Sequence, residues 1–260
     1  MIPRALDMLA SPIVQERAAR QDGHRPWPRP QGTWVMAQTW RDLLFAHWEV
    51  DPAVLAAAIP PELPLDTYRG RAFVGVTPFE VRNLRVRISL PVPRASNFPE
   101  INVRTYVRVE DKPGIFFFSL DASSRLAVAT ARRWYRLPYF PARMSIARER
   151  AVGFMSERTQ EDAPPAAFTG TYRPIGDVGQ ARPGTLAHFL TERYCLYTLD
   201  EERQVLRAEI HHPPWPLQPA AAEIERNTMG AEIGLPLDGP PLLHYAARQD
   251  VVFWTLAPVG

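Results

Sequence analysis

Ten residues, EINVRTYVRV at positions 100–109, alternate without interruption: Ile101, Val103, Thr105, Val107 and Val109 fall on one side, and Glu100, Asn102, Arg104, Tyr106 and Arg108 on the other. Successive side chains of a β-strand leave opposite faces of the sheet, so the stretch predicts a strand with one apolar and one polar face. The following EDKPG places Pro113 and Gly114 in turn positions, and IFFFSLDA then carries the chain back. An antiparallel hairpin is expected, with Lys112 at its solvated tip. A polar row of this kind is commonly a solvated sheet face. In a sheet that closes on itself it would line the interior instead, and the burial of Glu100 separates the two cases.

The remaining segments fit around this hairpin. Ser11 and Pro12 suit the first positions of a short helix, followed by the Pro-rich arm HRPWPRPQG, so residues 1–33 are expected to wrap a single domain of residues 34–260. An aromatic strand over 34–50 leads to the helix PAVLAAAI, capped by Asp51 and stopped by Pro60-Pro61. AFVGVTPFEV and VRISLPV read as strands, as do the segment around ARRWYRLPYF and the run through Phe154. Helices are expected in TLAHFLTERY and from Ala220 to Met229, and strands in VLRAEIHH and DVVFWTL. The pattern predicts an α+β protein, predominantly antiparallel β, on a large curved sheet or barrel with a few short helices.

Composition narrows the chemistry. The net charge of +2 gives no reason to expect nucleic acid or a membrane as partner. The N-terminus lacks the unbroken apolar stretch of a secretory signal, and the single Cys195 fits a reducing, cytoplasmic setting in which it serves as an inert apolar residue. Of 30 lysines and arginines only Lys112 is lysine, so amine catalysis has one candidate. No nucleotide-binding glycine motif, nucleophile elbow or zinc-protease helix is present. His211-His212 would point to opposite sides of a strand and share no metal, and His47 between Phe45 and Trp48 fits a core histidine. No metal or cofactor is expected.

The stretches WRDLLFAHWEV, IPPELPLDTYRGRAFVGVTPF, SNFPEINVRTYV, FFFSLDA, ARRWYRLPYFPARM and HHPPWPL resemble the YqjF-like bacterial family of the acetoacetate decarboxylase-like superfamily, over most of residues 24–257. The resemblance implies a β-cone around a central cavity and, from its oligomeric relatives, a homo-oligomer; it implies no particular reaction. With Ile59-Pro60-Pro61-Glu62-Leu63 as the register mark, a pocket arginine of the decarboxylases falls on Arg41 and a pocket glutamate on Glu100. Their catalytic segment falls on Ala131–Phe140, where Arg132 and Pro138 match and Tyr139 and Phe140 replace both lysines. Tyrosine forms no imine, so lysine-dependent decarboxylation is not expected. Read as a strand, the segment turns Arg132 and Arg136 toward the cavity and Arg133 and Tyr135 away.

The candidate site is therefore Glu100 as acid or base and Tyr139 as hydrogen-bond donor, with Arg41, Asn102, Arg104, Arg132, Arg136 and Phe140 contacting a small carboxylate, carbonyl or aromatic ligand. Glu100 is expected to be buried and paired with an arginine. Three readings remain open: a non-covalent acid–base enzyme, a non-catalytic receptacle or sensor, and a structural protein whose cavity is filled by its own side chains.

Overall fold

In the computed structural model, which describes residues 4–92 and 95–259, the first half of the chain is α1 (Arg4–Ala19), β1 (Met36–Val50), α2 (Pro52–Ala57), β2 (Ala72–Val86), β3 (Phe98–Val109), β4 (Lys112–Ala122) and α3 (Arg125–Tyr135). The second half is β5 (Tyr139–Arg148), β6 (Val152–Arg158), β7 (Ala167–Pro174), α4 (Leu186–Thr191), β8 (Cys195–Leu199), β9 (Val205–His211), β10 (Gln218–Asn227), β11 (Leu242–Phe253) and β12 (Ala257–Pro258). Among the described residues these strands form one 12-stranded sheet, ordered β12-β9-β8-β4-β3-β2-β1-β11-β10-β7-β6-β5 and closed again by β9–β11 and β4–β5.

Two forks produce the closures. Ile115 and Phe116 of β4 pair with β8, whereas Leu120, Asp121 and Ala122 pair with β5. On β11, His244 and Tyr245 pair with β10, whereas Val252 and Phe253 pair with β9. The outcome is two barrel-like rings sharing the wall β4-β3-β2-β1-β11. Both faces of that wall are buried, which is why β3 needs two different sets of side chains. Ile101, Val103 and Val107 pack into one core with Leu44, Val76 and Phe154. The opposite face belongs to a second core that includes Phe45, Phe79, Phe98 and Phe117.

The junction between β4 and β8 requires Gly114. A Cβ there would lie 2.6 Å from Tyr197 Cε2 and 2.8 Å from Cys195 Sγ. Gly114→Ala should therefore lower stability by about 1–3 kcal/mol through overpacking, measured by urea unfolding; a neutral substitution would contradict this close approach. Burial pushes the Cys195 thiol up to about 12, so it is an inert packing group.

Several elements differ from expectation. Helix α1 begins before Ser11 and carries Pro12 inside it; the carbonyl of Met8 that Pro12 cannot bond accepts the Ser11 hydroxyl at 2.8 Å instead. VRISLPV contributes only the end of β2 and then loops outward. The segment before Pro138 is helical: Ser124 caps α3 by accepting from the Ala127 amide at 3.3 Å, and Arg136 ends it in the left-handed conformation at φ 49°. The Ala-rich segment read as a helix is strand β10, where pairing with β7 and β11 overrides helix propensity. Lys112 opens β4 rather than pointing into solvent; its amine lies 3.7 Å from Glu209 and near the Trp27 ring.

Candidate functional site

A cavity of about 300 Å³ lies inside the β9-β8-β4-β3-β2-β1-β11 ring. Apolar side chains build most of its wall, with Trp40, Phe79, Phe98, Phe117, Trp215 and Phe253 in its aromatic part. The alternation of β3 delivers Glu100, Asn102 and Arg104 to it, each 5% exposed. The polar row ends there: Tyr106 bonds the Leu190 carbonyl at 2.7 Å and His47 at 2.6 Å, and Arg108 reaches outward to Asp66.

Tyr139 enters the cavity from β5. Its partner across the parallel β4–β5 ladder is Leu120, and Glu100 pairs with Ala122 on the other edge of β4. This three-strand step brings the Tyr139 hydroxyl to 3.3 and 3.2 Å from the two oxygens of Glu100. Glu100 has no arginine partner among the described residues, a correction to the expected ion pair. Arg104, two places further along the polar row, is turned to the Leu190 carbonyl and the Phe45 and Tyr106 rings instead. Burial raises the carboxyl to about 8; the Tyr139 hydrogen bond opposes the rise and nearby Asp121 adds to it. Glu100 is therefore a neutral acid at pH 7, able to donate as well as accept. Tyr139 itself is held well above 10 by burial and by Glu100, so it remains a phenol.

Arg104 is the complement of this acid. One guanidinium nitrogen donates to the Leu190 carbonyl at 3.3 Å, the group lies over the Phe45 and Tyr106 rings, and Nε has no hydrogen-bond partner among the described residues. No carboxylate pairs with it among the described residues. Arg193, also at the wall, is by contrast tied to Asp66 at 2.7 Å. Asn102 accepts from Thr77, which fixes its amide orientation.

Two further donors at this wall have no partner among the described residues: the Tyr135 hydroxyl and the Trp215 indole Nε1. Neither was among the candidates from sequence. A strand would turn Tyr135 outward, but on helix α3 it shares a side with Ala127 and Ala131, which also line the cavity. Trp215 and His212 were present in HHPPWPL. Its histidines do face different surroundings: His212 lines the cavity, whereas His211 meets the Ala18 carbonyl and Arg25. Burial lowers both, His211 to about 3, so both rings are neutral. Buried His47 is likewise held neutral by desolvation and then by Arg104.

Four candidates lie outside the cavity wall. Arg41 turns the other way because Asp42, at φ 52°, interrupts the alternation of β1; Gln38, Trp40 and Leu43 face the cavity while Arg41 sits on the side of Asp7. Arg132 and Arg136 are exposed, the former bonded to the Tyr139 carbonyl and Gln160, because the segment is a helix and not a strand. Phe140 follows Tyr139 on β5 and so faces away, beneath the Arg158 guanidinium at 3.8 Å.

The sequence places this architecture. Residues 37–250 match the DUF2071 family model, described as an uncharacterized conserved protein. The chain belongs to this family. It is 48% identical over 229 residues to the uncharacterized protein YqjF of Bacillus subtilis, covering 87% of this chain and 93% of that relative. Among solved structures it is similar to the enduracididine biosynthesis enzyme MppR complexed with pyruvate, with TM-score 0.60 and 12% identity over 93% of this chain and 95% of that one. An acetoacetate decarboxylase-like enzyme from Sphingomonas wittichii gives TM-score 0.58 and 13% identity, with 91% and 97% covered. Acetoacetate decarboxylase from Legionella pneumophila gives 0.57 and 14%, with 94% and 95% covered. The fold is acetoacetate decarboxylase-like, and at these identities the likeness extends to the fold alone.

Proposed function

We propose that this chain binds a small carboxylate with an apolar or aromatic body, of the oxo-acid class, and that Glu100, as a neutral acid, donates a hydrogen bond to its carbonyl oxygen. Arg104 carries the reading. A buried guanidinium without a counter-charge costs several kcal/mol, and a ligand carboxylate seated against it removes that cost with charge-assisted hydrogen bonds. The unpartnered groups of Tyr135 and Trp215 are donors too, so the wall selects a ligand rich in acceptors. The aromatic lining selects the rest of the molecule by burial and stacking. MppR, solved with pyruvate, is a fold relative that holds an oxo acid.

An open cavity speaks against the purely structural reading, in which side chains fill the space. Imine formation lacks a suitable amine: the sole lysine is engaged with Glu209 and is not among the cavity-lining residues. Acid assistance by Glu100 needs no amine. A neutral carboxylic acid beside a phenol can hydrogen-bond a carbonyl and stabilise its enol, and the site keeps that capacity until Glu100 ionises.

Calorimetric titration with phenylpyruvate, 3-phenylpropanoate and 3-phenylpropanamide separates the contributions. The propanoate should bind at least about tenfold more tightly than its amide, and Arg104→Gln should remove that preference, in line with about 1.5–3 kcal/mol for a hydrogen bond to a charged group. The oxo group should add affinity at pH 7 that fades as pH rises past about 8. Equal binding of acid and amide by the wild type, or an Arg104→Gln variant that keeps the preference, would overturn the assignment.

A further inference from the structure

The rim of the cavity has a composition that the site itself does not require. Loop 86–92 and helix α3 meet there, since Leu90 and Val92 of the loop and Leu126 and Trp134 of the helix all line the same mouth. These side chains are nonetheless 62%, 59%, 68% and 56% exposed, and Ile88 at the loop tip is 97% exposed. On the helix, Leu126, Thr130 and Trp134 form one stripe about 12 Å long at the helical rise. Arg125, Arg133 and Arg136 flank it, all exposed and without an acidic partner among the described residues. Neither α3 nor residues 86–92 contain an aspartate or glutamate.

We propose that this rim docks on an anionic lipid surface, with Ile88, Leu90 and Trp134 entering the interface and the α3 arginines meeting lipid phosphates. A helix pairing tryptophan and leucine with arginines is suited to lying in a membrane interface, where tryptophan is at home. The net charge of +2, which argued against a membrane partner, averages away a local segregation of cations that only the folded chain displays. A second copy of this chain is a poorer occupant. An isologous pairing sets a patch against itself, and here it would oppose arginines to arginines with no carboxylate between them. The arrangement places the cavity mouth against the bilayer. The docking surface is independent of the ligand assigned above.

Flotation with vesicles of phosphatidylcholine alone, or mixed in equal parts with phosphatidylglycerol, tests this on the full chain. Wild type should float with the anionic vesicles and at least about tenfold less with the neutral ones, and added salt should release it. Arg125→Gln and Arg133→Gln should each weaken partitioning about fivefold, the equivalent of about 1 kcal/mol per arginine near an anionic surface. Ile88→Asp with Leu90→Asp, both at exposed positions, should abolish it while leaving the melting temperature unchanged. Failure of the folded wild type to float with anionic vesicles would overturn the proposal. So would arginine variants that lose binding while the loop variant keeps it, which would leave diffuse charge attraction only. A dimer in light scattering that the loop variant splits would assign the face to a second copy instead.

Discussion

Between about pH 5 and pH 9 the wild-type protein should lose on the order of 4 kcal/mol of unfolding free energy through Glu100 alone. The folded carboxyl sits at about 8 against an ordinary value of 4.5. Folding therefore favours its protonated form. Stability from this source is fully present below the ordinary value and is lost as pH rises through the folded value, because the unfolded chain releases the proton first. Glu100→Gln resembles the neutral acid and cannot ionise. Its stability should lack this component, matching wild type near about pH 4 and exceeding it by a few kcal/mol near about pH 8. Urea denaturation of both proteins across the range is the check. Parallel curves would mean that Glu100 ionises in the fold and has a cationic partner after all. The proposed function gives a reason for the cost: an acid kept neutral at pH 7 can donate to a ligand, and an ion-paired one cannot.

Arg158→Met should cost about 3–5 kcal/mol, the range for stranding one member of a buried ion pair. Arg158 grips Asp121 with two nitrogens at 3.0 and 2.8 Å, and the two side chains are 1% and 0% exposed. A third contact at 2.9 Å reaches Glu232, and the guanidinium covers Phe140. The pair joins β6 to β4 where β5 is held to β4 by only a short parallel ladder, Leu120, Asp121 and Ala122 against Tyr139, Phe140 and Pro141. Loosening this junction moves Tyr139 relative to Glu100. The substitution should therefore weaken phenylpyruvate binding as well as stability, although Arg158 does not line the cavity. Adding Asp121→Asn should recover much of the stability, since the stranded charge is then gone. A full-strength Arg158→Met protein, or a double variant weaker than the single, would contradict this account of the junction.

The hairpin through residues 98–122 was legible because a period of two is a strong signal and both of its faces turned out to matter. Its meaning was less legible. A sheet wall buried on both sides and a half-solvated sheet have the same alternation, and only the closures made by β5 and β9 distinguish them. Local signals misled where tertiary pairing decides. The Ala-rich β10 satisfies helix propensity, yet its backbone groups are taken by β7 and β11. In α3 the aromatic residues before Pro138 favour a strand locally, and the helix is set instead by the Ser124 cap that opens it. Arg41 was placed by counting from the Pro60-Pro61 mark, and counting cannot see the left-handed Asp42 that changes which residues of β1 face inward. Glu100 was found by its strand and its motif. Its neutral state could not be read there, since that depends on where Tyr139 and Arg104 lie in space.

The central claim is that one cavity holds a neutral acid together with an unpaired cation. Carbon-13 NMR of protein labelled at the glutamate side-chain carboxyl tests it most directly, with the Glu100 resonance identified by its absence from Glu100→Gln. The account predicts a carboxyl that is still protonated at neutral pH and titrates with a midpoint near about 8. A midpoint at or below the ordinary 4.5 would make Glu100 an anion in the folded protein and contradict the account.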